Sequence, residues 1–359
     1  MTASLHSIPH SRPTLGSEDV QALAAVARSG QLAQGARVAE FERGLAAYLG
    51  LHGGVAVSSG TVALELALLA LGIGPRDEVI LPSYVCAAPW LATVRVGAQP
   101  RIVDVELDTY AIDPGETEKA VSPRTRAIIV PHAFGLPADL SKLQALGVPL
   151  IEDCAQTLGA TEGGRPVGSV GKMAVCSFYA TKLLCTGEGG MVLSNDPVIL
   201  EKGRALRDYD EKPTLETAAF NRKMTDLQAA LGLSQLAQFR SFLERRAAIA
   251  AYYHDALRQT GLVLPTIPPG RSHIFYRYVV RLPRSRRLHQ PLEELLTRLE
   301  RRGVQCRRPV FRPLHRYLGL DGYPNSEEAL ETALSIPIYP SLTDDEMTRT
   351  AHTLCEELR

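Results

Sequence analysis

The chain lacks a net charge, a bilayer-length apolar run and any closely spaced pair of cysteines, and each absence removes a class of function. Lys plus Arg and Asp plus Glu both number 39, so no net field draws the protein to nucleic acid or to an anionic membrane. No apolar stretch is long enough to span a bilayer, and Met1 to Pro13 carries no signal core. Cys86, Cys154, Cys176, Cys185, Cys306 and Cys355 are scattered without the spacing of a zinc or redox site. A chain of 359 residues does not need disulfide staples, so reduced thiols and a cytoplasmic location are expected. Cys154 and Cys176 lie in apolar runs and read as small buried hydrophobes. Internal repeats and low-complexity tracts are also missing.

What is present is ordinary for a soluble globular protein, with 45% hydrophobic and 22% charged residues. The length exceeds what one core serves, so a large and a smaller domain are expected. Arginines cluster in two places. Arg281, Arg284, Arg286 and Arg287 read as a solvated loop. Arg301, Arg302, Arg307 and Arg308 precede a strand-like turn and read as surface charge, with an anionic substrate as the alternative.

From about Gly53 to Asn195, apolar runs alternate with helical periodicity. Strands are expected at 54–57, 78–81, 100–104, 127–130, 149–152, 174–178 and 190–194, with helices at 61–71 and 87–96 among the connections. Continuous apolar strands alternating with helices imply a mainly parallel sheet, whose ligands sit beyond the strands' carboxyl ends. A long helix starts near Thr225 and ends near Gly261. Beyond it the pattern becomes strand (276–282), helix (291–301), strand (304–308) and a helix from Thr343, a small α+β domain. N-terminal helices near 17–28 and 38–48 wrap one of the two. The division is expected at 1–240 and 241–359.

Three features fall at predicted strand ends. Lys182 closes Ser177-Phe178-Tyr179-Ala180-Thr181-Lys182, after an apolar strand and before Gly187-Glu188-Gly189-Gly190. A lysine forms a Schiff base only when its amine can be neutral, which burial or a cationic neighbour allows. Asp153, in Glu152-Asp153-Cys154-Ala155-Gln156, can face a crevice and keep a heterocyclic nitrogen protonated. Ser58-Ser59-Gly60-Thr61 joins a strand to a helix, where free N–H groups and hydroxyls form an anion site. Ser177 is a second hydroxyl. Singly, these read as a surface lysine, a helix cap and another cap. Together they supply an amine, an acid and a phosphate seat, the three things pyridoxal phosphate (PLP) requires.

With these motifs in place, the chain resembles the DegT/DnrJ/EryC1/StrS family of PLP-dependent sugar aminotransferases, of fold type I, over essentially its whole length. The resemblance also runs through Ser29-Gly30, Phe41-Glu42, Leu81-Pro82-Ser83-Tyr84, Val103-Asp104-Val105, Asn221 to Ala230, Pro313-Leu314-His315 and Ser335 to Pro340. It implies an α/β large domain with a mainly parallel sheet flanked by helices, plus the small α+β domain. It implies that Lys182 carries the cofactor, Asp153 meets the pyridinium nitrogen and Gln156 lies beside the ring oxygen. Ser59, Gly60, Thr61 and Ser177 would hold the phosphate. Asn221 would reach the cofactor of a second subunit, giving a homodimer with shared active sites. The implied reaction moves an amino group from an amino acid, L-glutamate, to a keto-sugar, nucleotide-linked, in two ping-pong halves. A sugar dehydratase on the same fold is the alternative, but that branch has histidine at the lysine position. A non-catalytic PLP-binding regulator is the other, and the balanced charge speaks against its binding DNA.

Two departures from the family pattern stand out. Cys86 occupies the place of a stacking aromatic, so a sulfur–π contact or a substitute ring at Tyr84 or Trp90 is expected, or else looser cofactor binding. Asn221-Arg222-Lys223-Met224 loses the family's tyrosine and gains a cation. His132 reads as structural, and Arg277 and Arg308 are candidates for the donor carboxylate, with a surface salt bridge as the expected fate of each.

Overall fold

The computed structural model describes residues 7–210, 218–283 and 291–358. Helices α1 (Ser17–Ser29) and α2 (Ala36–Leu49) precede strand β1 (Gly53–Val57). Then come α3 (Gly60–Ala70), β2 (Glu78–Pro82), α4 (Ala88–Arg95), β3 (Gln99–Val103), α5 (Pro114–Ala120), β4 (Thr125–Pro131), α6 (Leu140–Gln144) and β5 (Leu150–Asp153). A two-residue hairpin, β6 (Thr161–Glu162) and β7 (Arg165–Pro166), leads to β8 (Met173–Ser177), β9 (Gly190–Ser194), α7 (Pro197–Arg207) and α8 (Asp226–Leu257). Seven strands form one sheet in the order β1-β9-β8-β5-β4-β2-β3. Strand β9 runs antiparallel to both neighbours, and all other pairings are parallel.

The sheet is central because its strands are apolar on both faces. Val55, Val57, Ile129, Ile151 and Val175 pack with α3 and α7 on one side. Ala56, Cys154, Ala174, Cys176 and Leu193 pack with α2 and α8 on the other. Burial pushes the Cys154 and Cys176 thiols up, as inert core groups. The alternation of side chains thus assigns each strand residue to one of two helical layers.

Helix α8 has 32 residues and starts in a capping box made by Thr225 and Gln228. Its N-terminal and central turns place Phe239 and Phe242 in the core that α2 shares. Its second half places Ile249, Ala250, Tyr253 and Leu257 in another core, with β10 (Tyr278–Arg281), β11 (Ala333–Ile336) and helices Leu292–Arg301 and Asp344–Glu357. We propose the division at 240/241 as two units that share this helix. Ile8, at the other end of the chain, also lies in the second core, where its N–H donates to Gly303 O (2.8 Å) and its carbonyl accepts from Gln305 (3.0 Å).

Several sequence expectations need correction. Residues 304–308 make isolated bridges, Val304 to Ile8 and Arg307 to Ser335, rather than a strand. Val304 and Cys306 alternate inward as strand residues do, but each side offers a single partner. Strand β10 begins at Tyr278, two residues late, because Phe275 adopts φ 50° and turns Tyr276 and Arg277 out of the ladder. Helices α7 and Pro324–Thr332, strand β11 and the hairpin were not anticipated. Arg281 is buried and paired with Asp108 at 2.6 Å; Arg284, Arg286 and Arg287 lie outside the described residues. Arg302, Arg307 and Arg308 pair with Glu356 and Glu357, Glu300 and Glu293, so the second cluster spends its charge on its own domain. Among the described residues, no helix is long and apolar enough to cross a membrane.

Candidate active site

The carboxyl ends of β1, β5 and β8 meet the start of α3. Ser59 caps this helix, its hydroxyl accepting from Val62 N–H at 3.2 Å. The apolar face of α3 is buried on the sheet, so its free N–H end is fixed beside the strand ends. Two glycines make that junction possible. A Cβ on Gly60 would stand 2.6 Å from Ser177 Cβ, and one on Gly190 would stand 2.3 Å from Ser59 O. Only residues without a side chain let α3, β8 and β9 approach this closely.

A cavity of about 320 Å³ opens there, lined by Ser59, Gly60, Thr61, Cys86, Asp153, Ser177 and Lys182. The Asp153 carboxylate accepts one backbone hydrogen bond, from Ala155 N–H at 3.0 Å. Burial raises its pKa; the Ala155 N–H, the charge of Lys182 and the His132 ring oppose this without cancelling it. Glu152, one residue earlier, points to the opposite face. It accepts from Gly168 N–H (2.7 Å), Val170 N–H (2.8 Å) and Gly171 N–H (2.5 Å), with His132 Nε2 at 3.2 Å. Burial would raise its pKa too, but His132 and these backbone donors hold it below the usual carboxylate range.

Lys182 Nζ stands 5.3 Å from the centroid of the Tyr276 ring. Burial alone would raise the Tyr276 phenol. The charges of Lys182, Arg277 and Arg246 and a hydrogen bond with Thr181 outweigh it and bring the pKa down to about 8. Tyr276 gave no signal in the sequence, because only the turn at Phe275 aims it here.

Beyond Lys182 lies a second cavity of about 320 Å³, which shares Cys86, Tyr179 and Lys182 with the first. Gln156 lines this one, its Oε1 accepting from Phe134 N–H at 3.0 Å and its amide nitrogen left to donate. Tyr84 and Tyr110 stack at 5.9 Å, and Phe134 meets Tyr110 edge-on at 5.3 Å. Tyr110 and Phe134 both hold φ 58°, an uncommon conformation for bulky residues that the surrounding packing must maintain.

The structure thus brings Ser59, Gly60, Thr61, Asp153, Ser177, Lys182 and Cys86 to one cavity and Gln156 to its neighbour. Asn221 is exposed and lines neither. Beside it, Arg222 is buried on Glu65 at 2.7 Å, and Lys223 pairs with Asp208 (3.1 Å) and Asp210 (3.0 Å), which neutralises the additional cation. Neither ring suggested to replace the aromatic at Cys86 lines the Asp153 cavity. Tyr84 turns into the second cavity, and Trp90 packs on the sheet core. Tyr179, 47% exposed, lines both.

His132 is fully packed. Its Nδ1 accepts from Ala138 N–H at 3.0 Å, so the proton sits on Nε2, facing Glu152. With Glu152 saturated by donors, the buried group His132, Glu152 and Cys154 is a hydrogen-bond network and not a metal site. Arg308 pairs with Glu293 at 2.8 Å, as expected of a surface arginine. Arg277 departs from that expectation: it has no carboxylate within ion-pair reach among the described residues, and it lines the second cavity.

Residues 13–355 match the DegT/DnrJ/EryC1/StrS aminotransferase family. The chain is 37% identical to dTDP-3-amino-3,4,6-trideoxy-alpha-D-glucose transaminase of Streptomyces venezuelae, over 91% of this chain and 89% of that one. It is 33% identical to GDP-perosamine synthase of Caulobacter vibrioides, over 89% and 90%. Its fold superimposes on the crystal structure of S. venezuelae DesV in complex with a ketimine intermediate, with a TM-score of 0.91, 34% identity and 99% of each chain covered.

Proposed function

The chain belongs to the DegT/DnrJ/EryC1/StrS aminotransferase family of PLP-dependent transaminases, and within it we propose transfer of an amino group from L-glutamate to a nucleotide-linked keto-sugar. The observation that carries the reading is the meeting of Lys182, Asp153 and the N–H end of α3 in one cavity. These donors suit PLP. The helix end and the hydroxyls of Ser59, Thr61 and Ser177 suit a phosphate, and Gly60 keeps the place a Cβ would fill. A half-buried carboxylate with one hydrogen bond, Asp153, suits a protonated ring nitrogen, whose charge would bring its pKa back down.

PLP, when bound, supplies a carbon that carries the amino group and a protonated ring that accepts electrons. Lys182 Nζ holds the cofactor, then takes the proton from the donor's α-carbon and later returns one. Asp153 maintains the ring proton throughout. Gln156 would offer its free amide to the ring oxygen, and Cys86 would border the ring in place of an aromatic. Asn221, outside its own chain's cavities, serves the second subunit of a homodimer with shared sites.

The second cavity suits the sugar nucleotide. Its mouth carries Phe311, 86% exposed, with Arg312 and Tyr317, a cation and rings of the kind that meet a diphosphate and a base. Two relatives are named for nucleotide-sugar products, which supports the same class. A cytoplasmic location fits such a substrate.

The test loads the protein with PLP and adds glutamate alone. Pyridoxamine phosphate should accumulate, which a non-catalytic regulator would not produce, and a keto-sugar nucleotide should then be aminated rather than dehydrated. Lys182→Ala should lose both the absorbance of lysine-bound cofactor and turnover; undiminished turnover in that variant would overturn the assignment.

A further inference from the structure

Among the described residues, the buried Arg207, Arg222 and Arg281 and the half-buried Arg271 are each matched to an acid. Arg207 meets Glu42 at 2.5 Å, Arg222 meets Glu65 at 2.7 Å, Arg271 meets Asp139 at 3.0 Å and Arg281 meets Asp108 at 2.6 Å. Arg246 and Arg277 have no such partner among the described residues. Arg246 spends Nη1 on the carbonyls of Phe275 (3.0 Å), Tyr276 (3.1 Å) and Ile338 (3.1 Å), which fixes the chain on either side of the turn. Arg277, half-buried, has less: its Nη1 lies 3.1 Å from His10 Nε2, and its Nε, like that of Arg246, is buried with no hydrogen-bond partner. A desolvated guanidinium without an anion is unfavourable unless a ligand completes it.

Position then narrows the ligand. Arg277 stands 5.4 Å from the centroid of the Tyr276 ring, the same ring that Lys182 approaches at 5.3 Å. Arg277 borders a gap of about 20 Å³ toward the N-terminal segment and also lines the second cavity of about 320 Å³, so an anion reaches it from the cavity side, close to Lys182. His10 is held there by Ser335 Oγ at 2.9 Å and by Ile8, two residues before it, in the second core. Burial, with the charges of Arg277 and Arg307, pushes the His10 pKa down to about 3, so this ring is neutral and does not compete for the anion.

We propose that Arg277, oriented by His10, seats the α-carboxylate of the amino donor and of the 2-oxo acid it becomes. The assignment rests on the transaminase reading above and adds its missing anion subsite. A planar guanidinium with a free edge accepts a carboxylate through two parallel hydrogen bonds. The N-terminal segment thereby becomes part of the donor site, acting through Arg277; His10 is a positioning residue.

The experiment uses the PLP-loaded protein and follows its conversion by glutamate in single turnovers. Arg277→Gln should raise the half-saturating glutamate concentration by about 30-fold or more, the loss expected on truncating one partner of a buried charge pair. Arg277→Lys should recover part of it. His10→Ala should raise it about fivefold, the worth of one positioning hydrogen bond. Calorimetric binding of 2-oxoglutarate to the pyridoxamine-phosphate form should weaken in the same order. Binding of dTDP should not change; weaker dTDP binding with unaltered glutamate saturation would assign Arg277 to the sugar nucleotide and overturn the proposal. So would unchanged glutamate and 2-oxoglutarate behaviour in both Arg277→Gln and His10→Ala. If Arg277→Gln proves unable to hold cofactor, His10→Ala decides alone. Absence of a lysine-bound cofactor band in the unmodified protein would instead remove the transaminase reading itself.

Discussion

Glu152 and Asp153 are adjacent on one strand, yet they live in opposite worlds. Glu152 is closed in by a histidine and three backbone N–H groups, and its charge is secured by the fold. Asp153 has a single backbone donor and a cavity before it, and the fold makes its charge harder to keep. The one-residue step across the pleat separates a carboxylate that holds structure from one left available for chemistry. The same division recurs among the cations: Arg222 and Arg281 are matched within the fold, and Arg277 is not.

Exchanging each acid for its amide should break this comparison most sharply. Asp153→Asn should lower turnover by about a thousandfold, the scale of removing a preorganised charge from a reacting centre. The cofactor-free variant should be no less stable, since its folded state no longer keeps a disfavoured carboxylate. Glu152→Gln should do the reverse. Its amide group would confront backbone donors, cost about 3 kcal/mol of stability and leave turnover within a few-fold. Urea midpoints and steady-state rates on the two variants measure both. Equal losses of activity would mean that the two faces of β5 are not chemically distinct.

A smaller effect is expected where the phosphate seat meets the sheet. Gly60→Ala places a methyl 2.6 Å from Ser177 Cβ, so α3 must shift away from β8. Overpacking of this kind costs about 1–3 kcal/mol, and here it should appear as a roughly tenfold or larger loss of cofactor affinity. Fluorescence titration with PLP reads it directly, and unaltered affinity would detach the helix end from the phosphate.

How much of this was legible follows the same line between local and distant. The seven strands of the large sheet are legible within about two residues, because each is a short run closed by a turn, whereas the two-residue strands β6 and β7 are not. Ser59, Gly60, Asp153, Ser177 and Lys182 are legible as candidates for that reason: each ends its strand or follows it within five residues. Residues 304–308 misled, since inward alternation of Val304 and Cys306 looks the same with or without a ladder. Helix Pro324–Thr332 was not legible because its start is completed from afar: Asp104 accepts from Asn325 N–H (2.9 Å) and Ser326 N–H (3.0 Å). Tyr276, and the pairing of His10 with Arg277, were equally hidden. Nothing near position 10 announces that it will touch position 277, and the turn that aims both Tyr276 and Arg277 depends on a left-handed Phe275.

Tyr276 offers the finest measure of the unmatched side. Its phenol is buried, which should make ionisation harder, yet Lys182, Arg277, Thr181 and Arg246 bring its pKa from the ordinary 10 to about 8. A group whose folded pKa is depressed favours the folded state only when ionised. The stabilisation from Tyr276 should therefore be complete above pH 10, fade as the pH falls toward 8 and vanish below it. In the cofactor-free protein, the stability difference between wild type and Tyr276→Phe should follow that window, and tyrosinate absorbance should rise near pH 8 in the wild type alone. Lys182 is the largest of the lowering charges, so Lys182→Ala should move the titration back up. A phenol that titrates at the ordinary value in every form would mean that the two cations do not share this ring, and the crowding of positive charge around it would have to be abandoned.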